Sequence, residues 1–84
     1  MIFIILAKFT KKPTKEELAM TPQRIQKGGA KTLSAYWTLG RYDTVFTVEA
    51  PDEKAAMKTV LQFGDIIKSE TLVAIPRDEA LKLL

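Results

Sequence analysis

Residues 32–49, TLSAYWTLGRYDTVFTVE, decide the fold of this 84-residue chain. Threonine, aromatic and β-branched residues dominate both halves of the stretch, which is typical of β-strands. Gly40 and Arg41 lie between the halves, and glycine at the first central position of a two-residue loop suits a type II′ turn. The stretch therefore predicts a β-hairpin with antiparallel arms.

The turn also predicts which side chains share a face of the hairpin. A two-residue loop pairs Trp37 with Thr44. Successive side chains of a strand point to opposite sides, so every second residue shares a face. In steps of two from this pair, Leu33 lies opposite Val48 on the same, largely apolar face. We expect this face to lie under helices, with Trp37 in the core. The opposite face carries the polar side chains Tyr36, Thr38, Asp43, Thr47 and Glu49.

Residues 2–10 are predicted to form the first strand, and nearly every position up to Ala7 is apolar. A strand with this composition is usually covered on both faces. Helices can supply one cover. A chain this small removes only about 60% of its unfolded surface from water and has no residues for a second layer. We therefore expect a second copy of the chain to cover the other face.

Two short helices are predicted before the hairpin. Thr14, followed three places later by Glu17, is a capping-box signature for a helix start. Pro22 then interrupts the helical pattern, because a proline inside a helix removes a backbone hydrogen bond. The pattern predicts a second helix that Thr21 caps and Pro22 opens.

After the hairpin the pattern predicts a helix, a strand and a tail. Asp52 is expected to cap a helix that runs to Phe63 and stops at Gly64. Residues 66–76 are predicted to form the fourth strand. The tail, residues 77–84, is predicted to form a short helix that docks its leucines on its own subunit or on a neighbour.

The predicted order is strand, helix, strand, strand, helix, strand. With right-handed crossovers this order gives an α+β fold, a ferredoxin-like βαββαβ sandwich with an antiparallel sheet in the order 4-1-3-2 and helices on one face. A short C-terminal helix follows. The order makes the first strand central, as its composition requires. Residues 1–84 are expected to form a single domain.

Composition excludes several kinds of chemistry. The chain contains no cysteine, histidine or asparagine. Disulfides, zinc sites and the familiar catalytic triads are therefore not expected, and no cofactor or metal is indicated. The apolar opening is too short for a membrane span or a signal-peptide core and ends at Lys8, so we expect a cytoplasmic protein.

The positive charge is concentrated in the first part of the chain. Residues 1–31 hold seven lysines and arginines against two glutamates. One hypothesis is weak nucleic-acid binding through Lys8, Lys11, Lys12, Lys15, Arg24 and Lys27. The alternative, a solvated loop that carries Lys11, Lys12 and Lys15, is favoured. An RNA-recognition motif is not indicated, because Tyr42 and Phe46 fall on the helix side and not on the face where that motif stacks bases.

Four segments resemble one known family. YWTLGRYD at residues 36–43 and VEAP at residues 48–51 are similar to the hallmark of the GYD domain family, and TPQR at residues 21–24 and SETL at residues 69–72 fit the same pattern. The resemblance covers nearly the whole chain, although the segment before Thr21 differs from the family's usual glycine-containing loop. It implies a ferredoxin-like protein of the dimeric α/β-barrel type, in which the sheets of two subunits face one another. It implies no activity.

The first functional hypothesis is a homodimeric or higher homo-oligomeric module that binds a small molecule or serves in assembly. Its predicted binding residues lie on the polar hairpin face and at the turn: Tyr36, Thr38, Arg41, Asp43, Thr47 and Glu49. Arg41 and Asp43 flank Tyr42, where they could hold an anion or carboxylate. The alternative for this pair is a local turn and an ion pair between subunits.

A cofactor-independent enzyme is the alternative function. Asp43 or Glu49 would act as the base and Tyr36 as a hydrogen-bond donor. The two carboxylates are six residues apart on one strand, about 20 Å, and so could not act as a pair. An enclosed cavity reached by these side chains would favour this hypothesis.

Overall fold

The computed structural model describes residues 1–84 and shows the α+β fold that the sequence predicts. The strands are β1 (Ile2–Phe9), β2 (Lys31–Trp37), β3 (Thr44–Glu49) and β4 (Ile67–Ala74), and the helices are α1 (Lys15–Ala19), α2 (Thr21–Lys27), α3 (Glu53–Leu61) and α4 (Arg77–Leu81). All strand pairs are antiparallel, and their order is β2-β3-β1-β4, the predicted order read from the other edge. The fold is ferredoxin-like.

The central strand β1 is apolar on both faces, as predicted. On the helix side, Phe3, Ile5 and Ala7 are almost completely buried. The alternate side chains lie on the other face and are only half-buried: Ile2, Ile4 and Leu6. We call this second face, with these three residues at its centre, the open face.

Helices α2 and α3 complete the core on the helix side of the sheet. Ile25 of α2 and Ala56 of α3 are buried with the β1 and β3 side chains in one cluster. The two helices approach closely where the C-terminal end of α2 meets α3. Gly28 is buried there against Thr59, and a methyl group on Gly28 would collide with the backbone and hydroxyl of Thr59. Position 28 therefore requires glycine, because Thr59 leaves no space for a side chain.

The hairpin has the predicted register but a longer loop. Trp37 pairs with Thr44, and this is the last pair of the ladder. Beyond it, the N–H of Thr38 donates to the carbonyl of Asp43 at 2.9 Å, so the loop contains four residues instead of the predicted two. Gly40 lies inside this loop at φ 111°, a backbone conformation that favours glycine.

A β-bulge shifts the far end of β2. Thr32, and not Leu33, pairs with Val48, because the register shifts between Thr32 and Ser34. One extra residue in one strand displaces every later pair by one position. The predicted pairing of Leu33 with Val48 is therefore wrong, and Glu49 pairs with Lys31 instead of Thr32.

Trp37 faces the helix side, as predicted, but it is not a core residue. Its exposed fraction is 66%. Strand β2 is an edge strand, and the helices that precede it, α1 and α2, contain only five and seven residues. These short helices do not cover the end of β2, and Trp37 stays open to solvent.

The helix before the hairpin divides as predicted, with one correction. Thr14 and Glu17 form the complete capping box of α1. Thr21 does not cap α2, because Met20 ends one helix and begins the next in helical geometry, which places Thr21 inside α2. The Thr14 backbone N–H donates to the Glu17 carboxylate and lowers the pKa of that side chain.

The last elements lie close to their predicted positions. Helix α3 ends at Leu61, two residues early, and β4 spans Ile67–Ala74, shorter than residues 66–76. Helix α4 forms in the tail, yet Leu83 and Leu84 remain exposed, so the tail does not hide them on its own subunit. None of the helices has the length and apolar character needed to cross a membrane.

Candidate functional site

A cavity lies between the sheet and the helices, on the side of β2. Its volume is about 470 Å³, and nine of its thirteen lining residues are hydrophobic. The lining comes from β1, both short helices, β2, β3 and the segment that enters β4: Phe9, Leu18, Thr21, Pro22, Ile25, Thr32, Ala35, Trp37, Thr44, Phe46, Phe63, Ile66 and Ile67. A volume of this size is typical of small-molecule sites.

Aromatic side chains form both the inner and the outer wall of this cavity. Phe46 and Phe63 are buried and contact edge to face, with ring centroids 6.2 Å apart. Phe9 and exposed Trp37 contact in the same way at 5.4 Å. The second pair therefore lies at the mouth and the first at the base. The two pairs give the cavity an aromatic lining from its base to its mouth.

The polar groups of the cavity are three threonine hydroxyls, from Thr21, Thr32 and Thr44. The Thr44 hydroxyl donates to the carbonyl of Tyr36 at 3.0 Å, which leaves its lone pairs to accept. No ionisable side chain lines the cavity. It offers hydrogen bonds that can orient a ligand but no group that transfers a proton at neutral pH.

Arg24 holds one wall of the cavity in place. Its guanidinium lies 5.7 Å from the centroid of the Phe63 ring. The same group donates to the carbonyl of Gln62 at 3.0 Å and to the carboxylate of Asp65 at 3.1 Å. These contacts join α2 to the segment between α3 and β4. The hydrogen bond from Arg24 lowers the pKa of Asp65.

The sequence-predicted binding residues lie elsewhere, and none of them lines this cavity. Tyr36 pairs with Val45 on the open face and is exposed. Thr47 shares a hydrogen bond of 2.6 Å with the hydroxyl of Ser34. Glu49 is exposed at the far end of β3.

Asp43 organises the hairpin loop. Its carboxylate accepts a hydrogen bond from the N–H of Phe9 at 2.9 Å, and its own N–H donates to the carbonyl of Ala7 at 2.9 Å. The hydroxyl of Thr38 donates to the carbonyl of Tyr42 at 2.6 Å within the loop. Asp43 thus holds the loop against the end of β1, and Thr38 closes the loop on itself.

Arg41 lies in a second, shallower pocket at that end of the sheet. The pocket has a volume of about 350 Å³, and Arg41 and Tyr42 share it with residues of β1 and β4: Leu6, Lys8, Lys68, Ser69 and Glu70. The structure therefore brings Arg41 together with two lysines that are distant in sequence. It contains no group of three or more carboxylates that could hold a metal ion.

The aromatic lining was not predicted as a site. The sequence does contain two signals for it: Pro22 limits the length of the helices, and Trp37 lies on a strand beside them. When a helical segment is too short to cover an edge strand, the aromatic side chains of that strand stay uncovered.

Comparison with known proteins gives one family. The model of the GYD domain family matches residues 3–84. Neither a protein of curated function nor a solved structure shows significant similarity to the chain.

Proposed function

The chain belongs to the GYD domain family, and on that premise we propose that it is a homodimeric module that binds a small apolar molecule, with an aromatic ring or rings, in the cavity beneath its helices. The cavity of about 470 Å³ with two aromatic pairs in its walls carries this proposal.

The chemistry of the lining supports an apolar ligand. Nine of the thirteen lining residues are hydrophobic, and a volume of about 470 Å³ leaves room for a small molecule. Water in such a space makes few hydrogen bonds to the walls, so a ligand that displaces it gains from burial of apolar surface. The hydroxyls of Thr21, Thr32 and Thr44 can accept or donate one or two hydrogen bonds that orient the guest.

Binding is supported better than catalysis. An acid–base enzyme needs a titratable group within hydrogen-bond distance of the reacting atom. The cavity has none, and the two carboxylates considered as bases, Asp43 and Glu49, are not among its lining residues. Asp43 is also engaged with the N–H of Phe9. A cofactor-independent enzyme would require a substrate on the open face instead.

The homodimer is supported by the open face. Ile2, Ile4 and Leu6 form a continuous apolar row along the central strand, and Leu72 of β4 lies directly opposite Ile4. A contiguous apolar surface on a small domain marks an interaction site. A second copy presents the same row, as a two-fold interface requires.

Ligand binding is tested with N-phenylnaphthylamine, a neutral aromatic compound whose fluorescence rises in apolar surroundings. We expect saturable binding to the wild type. Ala35→Phe places a ring inside the cavity and should weaken binding by about tenfold or more, since the ring competes with the guest for part of the space. Leu39→Phe adds similar surface at a fully exposed loop position and should bind as the wild type does. Equal affinity of all three proteins would reject the cavity as the site.

The dimer is tested by light scattering. Ile4→Glu places a charge in the middle of the open face and should convert a dimer into a monomer. Met57→Glu introduces the same charge at an exposed position of α3 and should remain dimeric. A monomeric wild type at micromolar concentration would contradict the dimer but would leave the cavity proposal intact.

A further inference from the structure

The open face ends in a cluster of positive charge that lies outside the aromatic cavity. Lys8 of β1 lies directly opposite Lys68 of β4, both exposed. Like charges directly opposite each other in an antiparallel pair destabilise the sheet. Arg41, from the hairpin loop, lines the same pocket as these two lysines. Three cations thus meet at one end of the sheet.

The chain does not neutralise this cluster. Its ion pairs within 4.0 Å are Lys11 with Glu17 and Arg24 with Asp65, and neither involves the cluster. Glu70 is the one acidic residue among the pocket's lining. The pocket's lining thus carries three cations and one carboxylate, a net charge of +2, and the nearby carboxylate of Asp43 is bonded to the N–H of Phe9.

The loop that brings Arg41 to the lysines is fixed by its neighbours. Asp43 binds the backbone of both Ala7 and Phe9, the residues on either side of Lys8. The loop is therefore held at the end of β1 where Lys8 projects. Tyr42 lines the pocket too, and its hydroxyl is a potential donor.

We propose that this pocket binds a small dianion, a phosphate group or a dicarboxylate, between Lys8, Lys68 and Arg41. Two ammonium groups supply point charges, and a guanidinium supplies a planar pair of donors suited to oxyanions. A dianion matches the excess charge and relieves the repulsion between the paired lysines. The site lies apart from the aromatic cavity, since the two share no lining residue.

The test titrates inorganic phosphate, and separately succinate, into the protein at constant ionic strength while backbone amide shifts are followed by NMR. We expect saturable shifts at residues 8, 41 and 68. Lys68→Gln should weaken binding by about fivefold, the loss of one exposed charge contact. Lys58→Gln removes an exposed lysine from α3 and should leave binding unchanged. A preference for phosphate would assign a phosphorylated ligand, and a preference for succinate a dicarboxylate.

Thermal unfolding provides an independent measurement. Without phosphate, Lys68→Gln should unfold at a higher temperature than the wild type, because the substitution removes the repulsion from Lys8. Added phosphate should raise the unfolding temperature of the wild type more than that of Lys68→Gln. Equal phosphate responses in Lys68→Gln and Lys58→Gln, or no response at all, would overturn the proposal. A monomeric Lys68→Gln variant, together with a wild type that binds neither phosphate nor succinate, would also overturn it. The cluster would then bind carboxylates of the second copy.

Discussion

Replacement of Gly28 by alanine tests the contact between α2 and α3 that positions the cavity wall. The backbone of Gly28 has φ −73°, which any residue can adopt, so the substitution introduces no backbone strain. The added methyl group would instead collide with the N, Cα and Oγ1 atoms of Thr59. Thr59 is completely buried and its hydroxyl donates to the carbonyl of Ala55, so it cannot move aside without moving α3.

The expected cost follows from this geometry. Overpacking of a well-packed contact costs about 1–3 kcal/mol, and here the obstruction is largely backbone, which places Gly28→Ala toward the upper end. For a domain of this size each kcal/mol shifts the unfolding temperature by about 4–8 °C. Gly28→Ala should therefore unfold roughly 10–20 °C below the wild type.

Gly64→Ala is the matched control. A methyl group at Gly64 has the carbonyl oxygen of Leu61 as its nearest neighbour, at the ordinary contact distance of 3.7 Å. Its effect should be within about 1 kcal/mol of zero and can be stabilising, because alanine reduces the entropy of the unfolded chain.

Urea unfolding followed by circular dichroism measures both variants. Each must be compared with the wild type at one protein concentration, since association raises the apparent stability. An unchanged slope with a lower midpoint would show that the folded state lost stability. If Gly28→Ala and Gly64→Ala had the same midpoint, α2 and α3 could not approach as closely as the structure shows.

Three further outcomes are expected. Asp43→Ala should lower the free energy of unfolding by about 1 kcal/mol in urea titrations, because the N–H of Phe9 loses its acceptor, whereas Asp43→Asn retains an oxygen and should cost less. The pKa of Asp65 is lowered in the folded state, so its ion pair with Arg24 stabilises the fold above the ordinary aspartate pKa of about 4. This stability is lost as the pH falls through the lowered pKa. Arg24→Gln should therefore make the free energy of unfolding depend less on acid pH, and equal pH profiles of the variant and the wild type would contradict this. Gly40→Ala should destabilise by about 1 kcal/mol although the site is fully open, because φ 111° is unfavourable for alanine.

The sequence predicted the sheet well because its signals are local and periodic. The apolar residues on both faces of β1 required a central strand, and the parity of the hairpin assigned Trp37 to the helix side and Tyr36 to the other. Beyond Leu33 the predicted pairs are wrong, because the bulge inserts one residue into β2 and shifts the register. The composition of the strand gives no sign of this inserted residue.

The site was predicted less well because the sequence pattern assigns a side chain to a face of the sheet but does not show whether a helix covers that face. The pattern shows that Trp37 points toward the helices, but only the structure shows that the helices stop short of it. The residues chosen from the polar face were selected for their chemical groups. Asp43, the most suggestive of them, proved to bind the backbone of Phe9 and Ala7, a role that depends on contacts 34 residues or more away in sequence.

The break in the helical segment connects these two results. Pro22 interrupts the helices, and Leu18, Thr21 and Pro22, the residues at the break, all line the cavity. The two short helices meet at Met20 and leave Trp37, at the end of β2, exposed. The proline that weakens the helical pattern in the sequence thus forms part of the rim of the proposed binding site.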